Sequence, residues 1–107
     1  TYGLALALGG GEISPLQMAG AYSTLANQGR YMPPYAIERI ENSQGETLFA
    51  QELPDAAVSQ VVRPDHAYLL SDILSDNDAR QPEFGTNNAL VVPGHRVAAK
   101  TGTSGVS

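Results

Sequence analysis

Hydrophobic and polar positions change period several times along this chain, and each change marks an element. Leu4, Ala5, Leu6, Ala7 and Leu8 form a short apolar run that ends at Gly9-Gly10-Gly11, where three residues without Cβ leave the backbone free to turn. A helix is predicted over residues 15–27. Ser14 stands at the N-cap, Pro15 at the first helical position and Gln17 three residues after the cap, so hydroxyl and amide can satisfy orphan N–H groups while the proline presets φ. Met18, Ala19, Tyr22, Leu25 and Ala26 recur at helical spacing and are expected to form its buried face, and Asn27-Gln28-Gly29 supplies a left-handed stop.

Pro33-Pro34 breaks any continuation, and residues 35–41 and 46–50 read as two short strands joined through Asn42-Ser43-Gln44-Gly45 into a hairpin. Ile37 and Ile40 cannot share one face of a regular strand, which calls for a bulge or an edge strand packed on both sides. Residues 53–62 are irregular. Pro64 and Asp65 open a second helix, expected to run to about Ser75 with Leu69, Leu70, Ile73 and Leu74 facing inward. Residues 76–94, rich in Asp, Asn, Gly and Pro, read as one long connecting loop, and residues 96–99 as a strand that delivers Lys100-Thr101-Gly102-Thr103. Hairpin, separate helices and a late strand together predict an α+β fold.

Composition narrows the function classes. The 107 residues suffice for one small domain at most, and with 42% hydrophobic and 16% charged residues the chain has material for a core and too little charge for a disordered tail. Net charge is −5 without a basic stripe, which excludes a phosphate-backbone footprint and with it a nucleic-acid partner. The absence of cysteine removes disulfides, thiolate metal sites and cysteine nucleophiles. No apolar run approaches the ~18 residues that span a bilayer, and the first residues lack the order of a signal peptide. Thr1-Tyr2-Gly3 and Gly105-Val106-Ser107 read as ends cut from something larger.

Lys100 is the only lysine, and it adjoins two hydroxyls and a glycine in Thr101-Gly102-Thr103. One ammonium, two hydroxyl donors and an uncovered backbone suit a carboxylate ligand, with backbone N–H groups at hand for an oxyanion. The order Lys-Thr-Gly excludes a phosphate loop, which needs Gly-Lys-Thr and an upstream glycine. His66 and His95 stand 29 residues apart without acidic partners at ligand spacing, so they read as a first-turn helix residue and a loop residue, and no metal or other cofactor is implied. Asp72, Asp76, Asp78 and Glu83 lack the glycine and glutamate positions of a calcium loop and read as a solvated face. Tyr22, Tyr31, Tyr35 and Tyr68 sit in apolar contexts and are expected to pack rather than to stack on a ligand.

Gly9-Gly10-Gly11-Glu12-Ile13-Ser14-Pro15-Leu16-Gln17-Met18-Ala19, Ala21-Tyr22-Ser23-Thr24-Leu25-Ala26-Asn27-Gln28-Gly29, Ala67-Tyr68-Leu69-Leu70 and Lys100-Thr101-Gly102-Thr103, taken in this order, resemble class A penicillin-binding proteins, the bifunctional peptidoglycan glycosyltransferase/transpeptidases. The resemblance covers nearly the whole chain and implies that residues 1–107 are a segment of a single transpeptidase domain, incomplete at both ends, with a serine β-lactamase-like fold. It implies a D,D-transpeptidase that cross-links peptidoglycan stem peptides by serine acyl transfer, binds β-lactams and works on the extracytoplasmic face of the bacterial cell membrane.

Three motifs meet in such a site: Ser-x-x-Lys, Ser-x-Asn and Lys-Thr-Gly. Carried over, Lys100 bridges to the serine of the second motif, Thr101 and Thr103 hold the terminal carboxylate of a D-Ala-D-Ala peptide or a β-lactam, Gly102 lets it lie close, and the Thr103 N–H forms half of the oxyanion hole. Ser-x-x-Lys is absent, because the one lysine has Val97 three residues before it. Ser75-Asp76-Asn77 spells the second motif, but it closes a helix shortly before Lys100, whereas the family places that motif far upstream; it reads as a helix terminus. The segment by itself is therefore expected to be inactive, and to need the remainder of its domain as a partner or to associate with itself through exposed strand edges. A non-catalytic penicillin- or peptidoglycan-binding sensor, and a D,D-carboxypeptidase or β-lactamase of the same fold, remain alternatives at this point.

Overall fold

In the computed structural model, residues 3–52 and 57–103 are described. Residues 1–2, 53–56 and 104–107 lie outside them, and with them the first part of the irregular stretch and both chain ends discussed above. Leu4–Leu8 forms a 3-10 helix that closes on Gly9, whose φ of 93° lets its N–H turn back to the Leu6 carbonyl at 3.1 Å.

Helix α1 spans Pro15–Ala26 and opens as the sequence requires. Ser14 Oγ accepts from the Gln17 N–H at 3.2 Å, and the Ser14 N–H donates to Gln17 Oε1 at 3.1 Å, a complete capping box. Its end is a left-handed turn carried by Gln28 (φ 58°) and Gly29 (φ 85°), in which the Gly29 N–H reaches the Thr24 carbonyl at 2.8 Å.

Strand β1, Arg30–Tyr31, follows at once and pairs antiparallel with β4, Ser59–Gln60. This pairing is invisible in the hydrophobic pattern because each strand is two residues long. It is extended by the N–H groups of Val61 and Val62, which both donate to the Gly29 carbonyl, and by the Gln60 amide, which donates to the carbonyls of Gln28 at 2.9 Å and Val62 at 2.6 Å.

The hairpin forms from β2, Arg39–Glu41, and β3, Thr47–Ala50, both shorter than the pattern predicts, with the register shift falling between Ile40 and Glu41. Asn42 Oδ1 accepts from the N–H groups of Gln44 and Glu46, and Gly45 takes φ 81° to close the turn.

Helix α2, Pro64–Leu74, starts on Pro64 and Asp65. Asp65 is gripped by the Arg63 guanidinium through both oxygens, at 3.1 and 2.7 Å, and complements the helix dipole in the first turn. The stretch predicted as one loop over residues 76–94 contains a single-turn helix, α3, Gln81–Phe84, which has Pro82 in its first turn but no apolar periodicity to mark it in the sequence.

α1 packs against α2 and β1. Thr24 on α1 and Ala67 on α2 are the buried side chains among the described residues. The expected buried faces are corrected accordingly: Met18 and Tyr22 on α1, and Leu69, Leu70 and Ile73 on α2, are exposed, as are the four tyrosines expected to pack. A small residue permits close approach at Gly20, where an added Cβ would stand 3.8 Å from the Tyr31 ring, and Leu25 on α1 and Leu74 on α2 are half-buried. The Cα radius of gyration is 18.3 Å, against about 13 Å for a compact domain of this length. The mix of helices and small antiparallel sheets is α+β.

Candidate functional site at residues 96–103

The strand predicted over residues 96–99 does not form: no described residue pairs with it in a ladder. Its burial nevertheless alternates as on an extended strand, with Val97 and Ala99 half-buried and Arg96, Ala98 and Lys100 exposed. A strand is defined by its neighbours, and here the alternation is present without a paired neighbour among the described residues.

Instead of a ladder, side chains and one backbone bond fasten the segment to the last turn of α2. Arg96 Nη2 meets Asp72 Oδ1 at 2.8 Å and Arg96 Nε donates to Ser75 Oγ at 3.2 Å. The Ala99 N–H donates to the Leu74 carbonyl at 2.9 Å, and Arg80 Nη2 donates to the same oxygen at 2.9 Å. That carbonyl is one of the acceptors that a helix C-terminus leaves without an intrahelical partner.

Lys100, Thr101, Gly102 and Thr103 are all exposed. Lys100 Nζ donates one hydrogen bond, to the Thr101 carbonyl at 2.8 Å, and the ammonium has further donors for a ligand. A Cβ at Gly102 would meet nothing within 4 Å, so the space beside the backbone is open to an approaching chain. Beside this segment Ile73, Leu74, Phe84, Leu90, Lys100 and Thr101 contribute to a hollow of about 260 Å³. Two larger hollows, about 810 Å³ along α1 and about 720 Å³ at the hairpin, include neither Lys100 nor Thr101. Neither groups a cation with hydroxyl donors as residues 100–103 do.

Ser75-Asp76-Asn77 has structural work throughout. Ser75 is the C-cap of α2 and its hydroxyl donates to the Asp72 carbonyl at 3.1 Å; Asp76 Oδ1 accepts from the Ala79 N–H at 3.1 Å; Asn77 Nδ2 donates to the Thr86 carbonyl at 3.2 Å, and its Oδ1 accepts from Asn88 at 3.1 Å. The reading as a helix terminus stands. Asn77 and Asn88 staple the 76–94 stretch; the sequence marks Asn77 only as part of a helix terminus, and nothing local in it marks Asn88, Arg80 or Arg96 for these contacts. His66 lies in the first turn of α2 and His95 in the turn closed by its N–H to the Val92 carbonyl at 3.1 Å. Of the acids, Asp72 pairs with Arg96 and Asp78 accepts from the Gln81 amide at 3.0 Å. No group of three or more metal-ligating side chains converges among the described residues.

Comparison with known proteins shows the family. The penicillin-binding protein transpeptidase domain matches residues 2–107, and the chain belongs to that family. It is 37% identical over 105 residues to penicillin-binding protein 1A of Neisseria lactamica, covering 94% of this chain and 12% of that protein. Penicillin-binding protein 1A/1B of Bacillus subtilis is 35% identical over 96 residues, covering 90% of this chain and 10% of that protein. A shorter match, 42% over 60 residues, covers 56% of this chain and 7% of penicillin-binding protein 1A of Pseudomonas aeruginosa. The chain thus spans about a tenth of the length of the curated relatives it matches. No solved structure matches it. The resemblance to class A penicillin-binding proteins read from the sequence is borne out by these relatives. No helix among the described residues is long and apolar enough to cross a membrane.

Proposed function

We propose that this chain is a segment of a single transpeptidase domain, incomplete at both ends, in a D,D-transpeptidase that cross-links peptidoglycan stem peptides on the extracytoplasmic face of the bacterial cell membrane. Residues 100–103 are its carboxylate grip. The observation that carries this reading is the arrangement at Lys100: the sole lysine of the chain, exposed, beside two exposed hydroxyls and an uncovered glycine, in a chain that belongs to this family.

The chemistry assigns the nucleophile to a serine outside this chain. Its oxygen attacks the carbonyl carbon between the two terminal D-Ala residues, the C–N bond breaks, and terminal D-Ala leaves as an amine that has gained a proton. The amine of a second stem peptide then takes the acyl group and the serine regains its proton. Through both steps Lys100 supplies a positive field, the Thr101 and Thr103 hydroxyls donate to the substrate carboxylate, and the Thr103 N–H faces the developing oxyanion. A β-lactam carboxylate and carbonyl occupy the same positions and stop at the acyl-enzyme.

Fluorescent penicillin tests this in the full-length protein. Covalent labelling of the whole protein and none of the isolated 107 residues is expected. Labelling of the isolated residues, or a full-length protein that takes no label, would overturn the assignment. Release of D-Ala without cross-linked product would convert it to a carboxypeptidase.

A further inference from the structure

We propose that Arg96 is a positioning residue for residues 100–103, fixing their approach by bridging Asp72 and Ser75 on the last turn of α2; this rests on the reading of Lys100, Thr101 and Thr103 as the carboxylate grip. Asp72 and Ser75 stand three residues apart and therefore share one helix face. The Arg96 fork spans them, with Nη2 on the Asp72 carboxylate at 2.8 Å and Nε on the Ser75 hydroxyl at 3.2 Å. Three residues further on, the Ala99 N–H meets the Leu74 carbonyl at 2.9 Å.

Two attachment points, at 96 and 99, define both position and direction for the residue that follows, and that residue is Lys100. One point alone would leave the segment free to pivot about it. The bridge to Asp72 and Ser75, with the Ala99 bond, thus helps set where the ammonium and hydroxyls point.

Burial separates this role from a stabilising one. The Arg96 and Asp72 side chains are 69% and 54% exposed, and an ion pair so open to solvent adds little to folding. A small displacement of a substrate-positioning group, in contrast, slows reaction by about an order of magnitude or more. Loss of the bridge is therefore expected to separate acylation from stability. Lysine at 96 keeps the charge and reaches Asp72 but lacks the planar fork needed to hold Ser75 at the same time.

The test uses the full-length protein and compares its second-order rate of acylation by a fluorescent penicillin with its thermal unfolding midpoint. Arg96→Ala and Asp72→Ala are each expected to acylate about tenfold more slowly with little change in midpoint. The double variant should be no slower than either single variant, because both remove the same bridge. Arg96→Lys should fall between wild type and Arg96→Ala, and the exchange Arg96→Asp with Asp72→Arg should recover part of the rate. Wild-type acylation rates in both single variants, losses that multiply in the double variant, or losses matched by the unfolded fraction would each overturn the positioning role. A wild-type protein that is not acylated at all would instead sink the carboxylate grip, and the bridge with it.

Discussion

A Cβ on Gly29 would collide with the carbonyl oxygen of Val62. The collision arises because Gly29 both ends α1 in a left-handed turn at φ 85° and accepts, through its own carbonyl, the N–H groups of Val61 and Val62. Exit from the first helix and entry to the second are thereby pinned at one residue. Gly29→Ala is expected to lose at least about 3 kcal/mol, from the unfavourable φ and the backbone contact together, measured as denaturant unfolding of the full-length protein's transpeptidase domain. Wild-type stability would mean that the two segments separate without cost.

Ser14 and Gln17 close the start of α1 reciprocally. Ser14→Ala removes the acceptor for the Gln17 N–H and is expected to cost about 1 kcal/mol, with Ser14→Asp near wild type. A fall in unfolding midpoint for the alanine variant and recovery for the aspartate variant would check the assignment.

Lys100, Thr101 and Thr103 should be separable by their chemistry. Lys100→Ala in the full-length protein is expected to slow penicillin acylation about 100-fold or more, since it removes the positive field at the reacting centre. Thr101→Val and Thr103→Val each remove one hydrogen bond to a charged carboxylate and should cost roughly ten- to hundredfold. Full acylation in the Lys100 variant would contradict the role given to its ammonium.

The exposed apolar residues predict how the isolated piece behaves. Leu4 and Leu8 are more than 90% exposed, and both edges of the two-stranded β2–β3 sheet lack a further strand among the described residues. Apolar surface and open edges invite pairing with another chain. The isolated 107 residues are expected to oligomerise or swap a segment, and a single monomeric species in sedimentation velocity would refute this.

What the sequence made legible was what local chemistry decides. The Ser14-Pro15-Gln17 start, the Asn42 to Gly45 turn, the Ile40 irregularity and the Pro64-Asp65 start all depend on neighbours in sequence and all appear. Burial was legible only in part, because periodicity reports which residues are apolar and not what lies opposite: Met18, Tyr22, Leu69 and Ile73 have helical spacing and are exposed, while Leu25 and Leu74 are half-buried. The same limit applies to residues 96–99, whose alternation is present although no described residue pairs with them. Within the site, the sequence marked Lys100 to Thr103 but not their anchoring, since Arg96, Asp72 and Ser75 meet only when the chain returns to the end of α2.

The most direct measurement is a crystal structure of the intact domain acylated by a β-lactam. It should place the ligand carboxylate within hydrogen-bond distance of the Thr101 and Thr103 hydroxyls, with the Lys100 ammonium beside it. A carboxylate held by other residues, with residues 100–103 turned away from the acylated serine, would contradict the account.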